Sequence, residues 1–172
     1  MWIRKTRIIY RLYLDACDFR LAAILQQVQR IQLEDLKGTK AYERCEKAFE
    51  AEQPIPSLVV KITKLDHDVP KNGSWGKTLD ETWVYIERVI TYWSRVLKPA
   101  EWNYSPTEQE ALALNEGLIR FQLYVEGKVI LAITNHAALT WSKTFQNVNH
   151  QLLTWGPVFA AYPKLQIIHH AS

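Results

Sequence analysis

The hydrophobic pattern of the chain begins with two short apolar runs that a turn separates. Residues 7–14 (RIIYRLYL) are rich in Ile, Tyr and Leu, and we predict a strand that ends at Asp15. The turn at 16–20 leads into residues 21–29 (LAAILQQVQ). This second run is either a strand or a helix, because periodicity does not distinguish the two in so short an apolar segment.

The part of the chain that follows is more polar and irregular. Within residues 40–52, apolar side chains recur at helical spacing among charged ones, which predicts an amphipathic helix. These apolar residues are Tyr42, Cys45 and Phe49. Residues 66–81 are rich in turn-forming residues and predict irregular structure. We interpret residues 30–82 as an insertion within a single domain of residues 1–172.

The second half of the chain alternates strand-like and helix-like segments. β-Branched and aromatic residues predict strands at 83–97, 128–134 and 164–170. We expect further helices at 136–146 and 149–161. Three leading strands followed by alternating helices and strands predict an α/β fold, with a mixed sheet on which the helices pack.

One more helix has clear start signals. Ser105 is a good N-cap residue, Pro106 suits the first helical position, and Glu108 completes a capping box. Glu110 shares one face of this helix with small and apolar residues. A glutamate on such a face points inward or into a crevice, or it lies exposed at the edge of the apolar stripe. Periodicity alone favours the exposed position.

The segment ITNHAALTW (133–141) runs from the end of a strand directly into a helical stretch, and Asn135 stands at the change. Sheets of α/β proteins commonly place their chemistry at the carboxyl ends of strands, because side chains there project into an open crevice. An aspartate at this position could hold a metal ion, whereas an asparagine has no charge to offer one. Asn135 is therefore either a helix cap or a catalytic position that has lost its acid.

Composition narrows the class of protein without deciding its activity. With 172 residues, of which 48% are apolar and 23% charged, the chain has the balance of one globular domain. Its net charge of +3 is mild, so any affinity for nucleic acid has to come from local clustering of basic residues. No segment approaches the roughly 18–20 apolar residues that cross a bilayer. We expect an intracellular protein, cytoplasmic or nuclear, that is neither secreted nor bound to a membrane.

Four stretches of the chain resemble one family. In order, they are RLYLDACDFRLAAILQQ, YWSRVLKPAEWNYSPTEQEALAL, LAITNHAALTW and LLTWGPVFAAYPKLQIIHH. Over residues 8–170 they resemble the ribonuclease H domain that follows the polymerase in reverse transcriptases of gypsy-type long-terminal-repeat retrotransposons. Residues 30–82 are similar to an insertion found in one branch of these elements. The resemblance implies an RNase H-like fold with a five-stranded mixed sheet flanked by helices.

The resemblance also implies a chemistry. RNase H enzymes hydrolyse the RNA strand of an RNA–DNA hybrid with two divalent cations, Mg²⁺ or Mn²⁺, held about 4 Å apart by carboxylates. Asp15 and Glu110 match two of the family's metal-binding positions, and Asn135 stands where the family has an aspartate. We expect the fourth acidic position, with a histidine near it, to fall beyond Ser172. The implied catalytic set is Asp15, Glu110 and Asn135, of which only the first two are metal ligands, and cation binding is weakened.

The residues implied to contact nucleic acid are few. Arg20 stands where the family has a small residue, and it either adds a basic contact or crowds the site. Residues 147–152 (NVNHQL), which include His150, replace the adjacent arginines of related sequences, and Lys143 is a further basic candidate. The partners that the resemblance implies are an RNA–DNA hybrid and an upstream polymerase domain.

Two hypotheses stay open for the activity. The first is an RNase H-type endoribonuclease that uses Asp15 and Glu110. The second is a domain that is no longer catalytic, and that survives as a relic or as a module that binds nucleic acid or protein. The missing carboxylates favour the second hypothesis, because an uncharged amide removes much of the electrostatic reason for a second cation to bind.

Overall fold

The structure, a computed structural model of the chain, describes three segments, residues 9–62, 70–136 and 158–170. Two of the predicted nucleic-acid contacts, Lys143 and His150, lie outside the described residues, as does the helix predicted at 136–146 beyond its first residue. Of the helix predicted at 149–161, residues 158–161 are described, and 158–160 are helical.

The strands form a five-stranded sheet. They are β1 (Ile9–Ala16), β2 (Arg20–Gln32), β3 (Trp83–Val96), β4 (Val129–Thr134) and β5 (Leu165–His169). Their order in the sheet is β3-β2-β1-β4-β5. β1 is antiparallel to β2 and parallel to β4, and β4 is parallel to β5. The predicted α/β class and five-stranded mixed sheet are confirmed, and the segment 21–29, left open between strand and helix, is a strand.

The described helices are α1 (Lys40–Glu50), α2 (Pro106–Arg120) and the single turn α3 (Gln122–Val125), with 3-10 turns at Leu33–Leu36 and Pro99–Glu101. Two of them, α1 and α2, lie at predicted positions, whereas α3 and the two 3-10 turns were not predicted. The capping box at the start of α2 is present, since the backbone N–H of Glu108 donates to Ser105 Oγ at 3.2 Å and the N–H of Ser105 donates to Glu108 Oε1 at 3.5 Å. No helix in the described part of the chain is long and apolar enough to span a membrane.

The chain forms two compact units, and the first comprises Met1–Gln27 with Val89–Ser172. In this unit α2 covers one face of the sheet, and its buried side chains meet buried residues of β1 and β2. The strand residues in this core are Leu12, Leu14, Leu21, Ala23 and Leu25. The helix comes close to the sheet at Gly117, where a Cβ atom would lie 3.2 Å from the Cβ of Ala23. A small residue at this position therefore sets how closely α2 lies against β2.

The second unit, Val28–Arg88, has a hydrophobic core of its own. Its buried residues are Leu33, Leu36, Cys45, Val84 and Ile86. Asp80 joins two parts of this unit, because its carboxylate pairs with Lys37 Nζ at 2.7 Å and accepts a hydrogen bond from the Tyr42 hydroxyl at 2.6 Å. Residues 30–32, at the start of the predicted insertion, continue β2.

The alternation of side chains along β3 shifts by one residue within the strand. Ile90 and Trp93 both pack against the core beneath α2, although an odd spacing should place them on opposite faces. Arg95 lies on the same side as Trp93, because it pairs with Glu116 of α2. A change of this kind is what a β-bulge between Ile90 and Trp93 would produce. From Trp93 onward, the odd-numbered residues of β3 lie on the side of α2.

Candidate functional site

The carboxyl ends of two neighbouring parallel strands bring Asp15 and Asn135 to the same edge of the sheet. β1 and β4 pair in register up to Tyr13 and Ile133, so continuing this register places Asn135 beside Asp15. Asp15 is the penultimate residue of β1, and Asn135 directly follows β4. Both residues are exposed. The edge is the place where α/β sheets usually carry their reactive groups.

Glu110 reaches this edge from α2 and is buried, with 1% of its surface exposed. The exposed position that periodicity alone favours is therefore wrong. The inward-pointing carboxylate has a hydrogen-bond partner, because the Thr134 hydroxyl donates to Glu110 Oε1 at 3.0 Å. Thr134 is the last residue of β4 and is fully buried. A buried carboxylate has to find such partners, because leaving it unpaired costs several kcal/mol, about 1–3 for each lost hydrogen bond.

The electrostatic surroundings of Glu110 act in both directions on its pKa. Burial raises the pKa of Glu110 above the usual range, and the nearby negative charge of Asp15 raises it further. Hydrogen bonds from the Thr134 hydroxyl and from the backbone N–H of Asn135 lower it, as does the positive charge of His136 when protonated. Burial is the largest of these effects, so the pKa of Glu110 is raised on balance. The neutral acid is correspondingly favoured.

Three groups at this edge were not predicted as part of the site. Besides Thr134, they are His136, whose Nε2 lies 3.8 Å from Glu110 Oε2, and His169, whose Nε2 lies 3.1 Å from the backbone oxygen of Asn135. The alternation of β4 carries a signal for Thr134, because Ala132 and Thr134 share the face that α2 covers. No local signal marks the two histidines, since each is placed by contacts between distant segments.

The groups at this edge do not fit a pair of hard divalent cations. Mg²⁺ prefers several oxygen ligands, most of them charged. Here the predicted set offers the carboxylates of Asp15 and Glu110 and the uncharged amide of Asn135, and the second carboxylate has a raised pKa. Within the described segments, no three residues of the His, Cys, Asp and Glu types are grouped so that they could hold a metal ion. The weakened cation site that the sequence predicts stays a prediction.

Arg20 is the one predicted nucleic-acid contact that falls on described residues. It is exposed at the start of β2, and its Nη1 donates to Ser94 Oγ of β3 at 3.2 Å. Its guanidinium is therefore held along the sheet rather than extended freely into solvent. One hydrogen bond leaves most of the five N–H donors of an arginine able to meet other acceptors.

A charged cluster anchors α2, the helix that carries Glu110. Arg95 of β3 forms a salt bridge with Glu101 at 2.6 Å and a second one with Glu116 of α2. Glu101 also accepts a hydrogen bond from the backbone N–H of Lys98 at 2.7 Å. These bonds raise the pKa of Arg95 and lower that of Glu101. Through these salt bridges Arg95 binds both α2 and the turn before it, and it is not a solvated surface cation.

Comparisons with known proteins agree with this architecture. The chain is similar in fold to a foamy viral protease-reverse transcriptase (dRH) in complex with double-stranded DNA, with a TM-score of 0.52 and 11% identity over 98% of this chain and 21% of that one. A second structure of the foamy viral protease-reverse transcriptase with double-stranded DNA gives a TM-score of 0.46 and 10% identity, over 99% of this chain and 25% of that one. The chain thus spans about a quarter or less of the length of these proteins. No curated protein matches it.

A sequence family accounts for more than half of the chain. Residues 68–162 match the family described as the RNase H-like domain found in reverse transcriptase. This range includes the capped helix with Glu110 and the end of β4 with Asn135. The predicted RNase H-like fold is confirmed by the similar five-stranded architecture. The chain belongs to the family of RNase H-like domains found in reverse transcriptases.

Proposed function

We propose that this domain derives from the reverse transcriptase of a gypsy-type retrotransposon and that its hydrolysis of RNA in RNA–DNA hybrids is impaired. One observation carries the proposal. Asn135 occupies the carboxyl end of β4 beside the buried Glu110, at the position where the family resemblance expects an aspartate. The replacement removes one negative charge from the edge where cations would bind.

The surroundings of Glu110 support the same conclusion. Its carboxylate already accepts hydrogen bonds from the Thr134 hydroxyl and the Asn135 backbone, and His136 stands 3.8 Å away. Protein groups therefore satisfy this carboxylate without a cation. A cation would have to compete with them and with the neutral acid that burial favours. Both effects weaken the binding of Mg²⁺ or Mn²⁺ relative to an edge with three ionised carboxylates.

Binding of nucleic acid without cleavage is the second candidate function. The exposed Arg20 beside the site favours it, as does the similarity in fold to a foamy viral reverse transcriptase whose structure was determined with double-stranded DNA. An RNA–DNA hybrid is the proposed ligand, and Arg20 its proposed contact with a phosphate. A polymerase domain is the proposed neighbour in the working assembly, because the family occurs in reverse transcriptases.

Cleavage of an end-labelled RNA–DNA hybrid tests the impaired activity. We expect the unmodified chain to give no cleavage above background in Mg²⁺ or Mn²⁺. Asn135→Asp should increase the affinity for Mn²⁺, measured by calorimetry, by roughly tenfold, because one added charge at close range contributes on the order of 1 kcal/mol or more. Asp15→Asn in the Asn135→Asp background should cancel the increase. Gln122→Glu is the matched control, because it makes the same change from amide to acid at the first residue of α3, at an exposed position.

One result would contradict the proposal directly. If the unmodified chain cleaves the hybrid at the rate of an active RNase H and Asp15→Asn abolishes this cleavage, the domain is an ordinary nuclease. A gel-shift measurement with the hybrid separates the second candidate function. Retained hybrid binding that Arg20→Ala weakens, without cleavage, would support a binding role.

A further inference from the structure

The last residue of β4 carries a hydroxyl in an otherwise apolar strand. The five residues before Thr134 are apolar, and Thr134 itself is fully buried. A valine has almost the same shape and suits a buried strand equally well. A buried hydroxyl, in contrast, destabilises the fold unless it is hydrogen-bonded. Packing alone therefore does not account for the hydroxyl at this position.

The Thr134 hydroxyl forms hydrogen bonds on two sides. It donates to Glu110 Oε1 at 3.0 Å, and it accepts a hydrogen bond from the backbone N–H of His136, also at 3.0 Å. Both bonds can form at once, because a hydroxyl has one hydrogen to donate and two lone pairs that accept. The hydroxyl thus connects the carboxylate on α2 with the backbone two residues further along the chain.

The backbone at residue 135 is held from two directions. Toward α2, the N–H of Asn135 donates to the Glu110 carboxylate. Toward the end of β5, the Thr134 carbonyl accepts a hydrogen bond from the N–H of His170 at 3.0 Å. On the same side, His169 Nε2 lies 3.1 Å from the Asn135 backbone oxygen. The exposed side chain at 135 therefore starts from a backbone that is fixed on both sides.

We propose that Thr134 is a positioning residue of this edge, whose hydroxyl holds the Glu110 carboxylate and the backbone of residue 135 in a fixed relation. The side chain at 135 then stands at a constant distance from Glu110. This precision matters, because groups that act together at a site have to be held within about 0.5 Å. The role of Thr134 rests on the proposed function in one respect, that the chemistry of the domain takes place at this edge. It does not depend on whether the present chain is active, since both partners of the hydroxyl are protein groups.

Two substitutions at Thr134 test the proposal by amide hydrogen exchange, without any cation. Thr134→Val removes the hydroxyl and keeps the shape, whereas Thr134→Ser keeps the hydroxyl. In Thr134→Val the backbone N–H of His136 loses its acceptor, so its exchange should become roughly tenfold faster relative to the amides of the core. Thr134→Ser should leave this ratio close to that of the unmodified chain. A general loss of stability would instead raise both rates together.

Cation affinity in the Asn135→Asp chain is the second measurement. Thr134→Val should remove most of the roughly tenfold gain in affinity for Mn²⁺ that the added charge gives, and Thr134→Ser should retain it. A role in stability alone would not change the affinity of the folded molecules. Thr82→Val is the matched control, because Thr82 is 1% exposed and its hydroxyl has the same pattern of bonds in the second unit. This hydroxyl accepts from the Gly76 N–H at 3.0 Å and donates to the Thr78 carbonyl at 3.1 Å, so Thr82→Val should alter neither measurement.

Each outcome decides the role of Thr134. An unchanged exchange ratio in Thr134→Val would overturn the proposal, and so would a Thr134→Ser variant that behaves like Thr134→Val. Circular dichroism establishes that each variant is folded, and Thr134→Ala replaces the valine variant if that one does not fold. If Asn135→Asp gains affinity for Mn²⁺ and Thr134→Val keeps the whole gain, Thr134 has no positioning role, although the proposed function stands. If Asn135→Asp gains none, the proposed function fails, and the exchange of the His136 amide still decides the role of Thr134.

Discussion

Gly117→Ala tests how closely α2 lies against the sheet. The added Cβ would sit 3.2 Å from the Cβ of Ala23 and 3.6 and 3.7 Å from the two Cδ atoms of Leu12. Leu12 can adjust its rotamer, but the Cβ of Ala23 is fixed to the backbone of β2. The helix therefore has to move by a few tenths of an ångström, or β2 has to move with it.

Two opposing effects set the magnitude of this change. Alanine favours a helix interior over glycine by about 1 kcal/mol. Overpacking of a closely packed core costs about 1–3 kcal/mol. Because the closest contact is with a fixed Cβ atom, we expect the packing effect to exceed the helix preference, and the free energy of unfolding to fall by about 1 kcal/mol. For a chain of this length the midpoint of thermal unfolding should fall by roughly 2–4 °C.

Urea unfolding of a double-mutant cycle measures the effect. Ala23→Gly removes the atom that the new Cβ meets, so the double variant should be more stable than the sum of the two single changes predicts, with a coupling of about 1 kcal/mol. Gly73→Ala is the control, because no atom lies within 4 Å of its added Cβ. A Gly117→Ala variant as stable as the unmodified chain, or strict additivity in the cycle, would refute the close-packing argument.

Three further predictions concern charged groups. The pKa of Glu110 is raised, so its contribution to the free energy of unfolding is fully present below its ordinary pKa of 4.5 and declines as the pH rises through the folded-state value. Glu110→Gln should remove this decline in urea titrations from pH 4 to 8. An unchanged pH dependence would contradict the reasoning. The pKa of Asp80 is lowered by its bonds with Lys37 and Tyr42, so its contribution to the free energy of unfolding is present above the ordinary pKa of 3.8 and is lost as the pH falls. Asp80→Asn should therefore destabilise the chain at pH 7 and have little effect at pH 2. Thermal unfolding at both pH values measures this difference. Arg95→Ala should lower the free energy of unfolding by about 2–4 kcal/mol, because two carboxylates lose their partner, and Glu101→Gln in the same chain should recover part of the loss.

The sequence carried enough information to place α2 and the residue that follows β4. Local rules decide both, since Ser105 and Glu108 cap the helix through contacts three residues apart, and Asn135 directly follows a strongly apolar strand. The strand character of 21–29 was not predictable in this way. This segment is a strand because it pairs with β1 on one side and β3 on the other. Neither pairing can be read from the sequence pattern of so short a segment.

The environment of Glu110 shows why the candidate site was only partly predictable. The resemblance pointed to Glu110, but the hydroxyl that bonds it belongs to Thr134, 24 residues later. His136 follows Asn135, and its ring stands near the same carboxylate. Contacts of this kind arise only when α2 lies across β4. The shift of faces along β3, where Ile90 and Trp93 pack against the same core, is likewise a feature that strand periodicity does not reveal.

The order of the strands has a consequence for how the chain is made. β1 forms a local hairpin with β2, but its other neighbour, β4, starts at Val129, more than a hundred residues later. At a synthesis rate of about 5–20 residues per second, one edge of β1 waits on the order of 5–20 s for its partner to leave the ribosome. During that interval a hairpin with an unpaired apolar edge is open to pairing with other nascent chains. Production of the domain should therefore depend on the speed of translation and on the chaperones that cover the hairpin as it emerges.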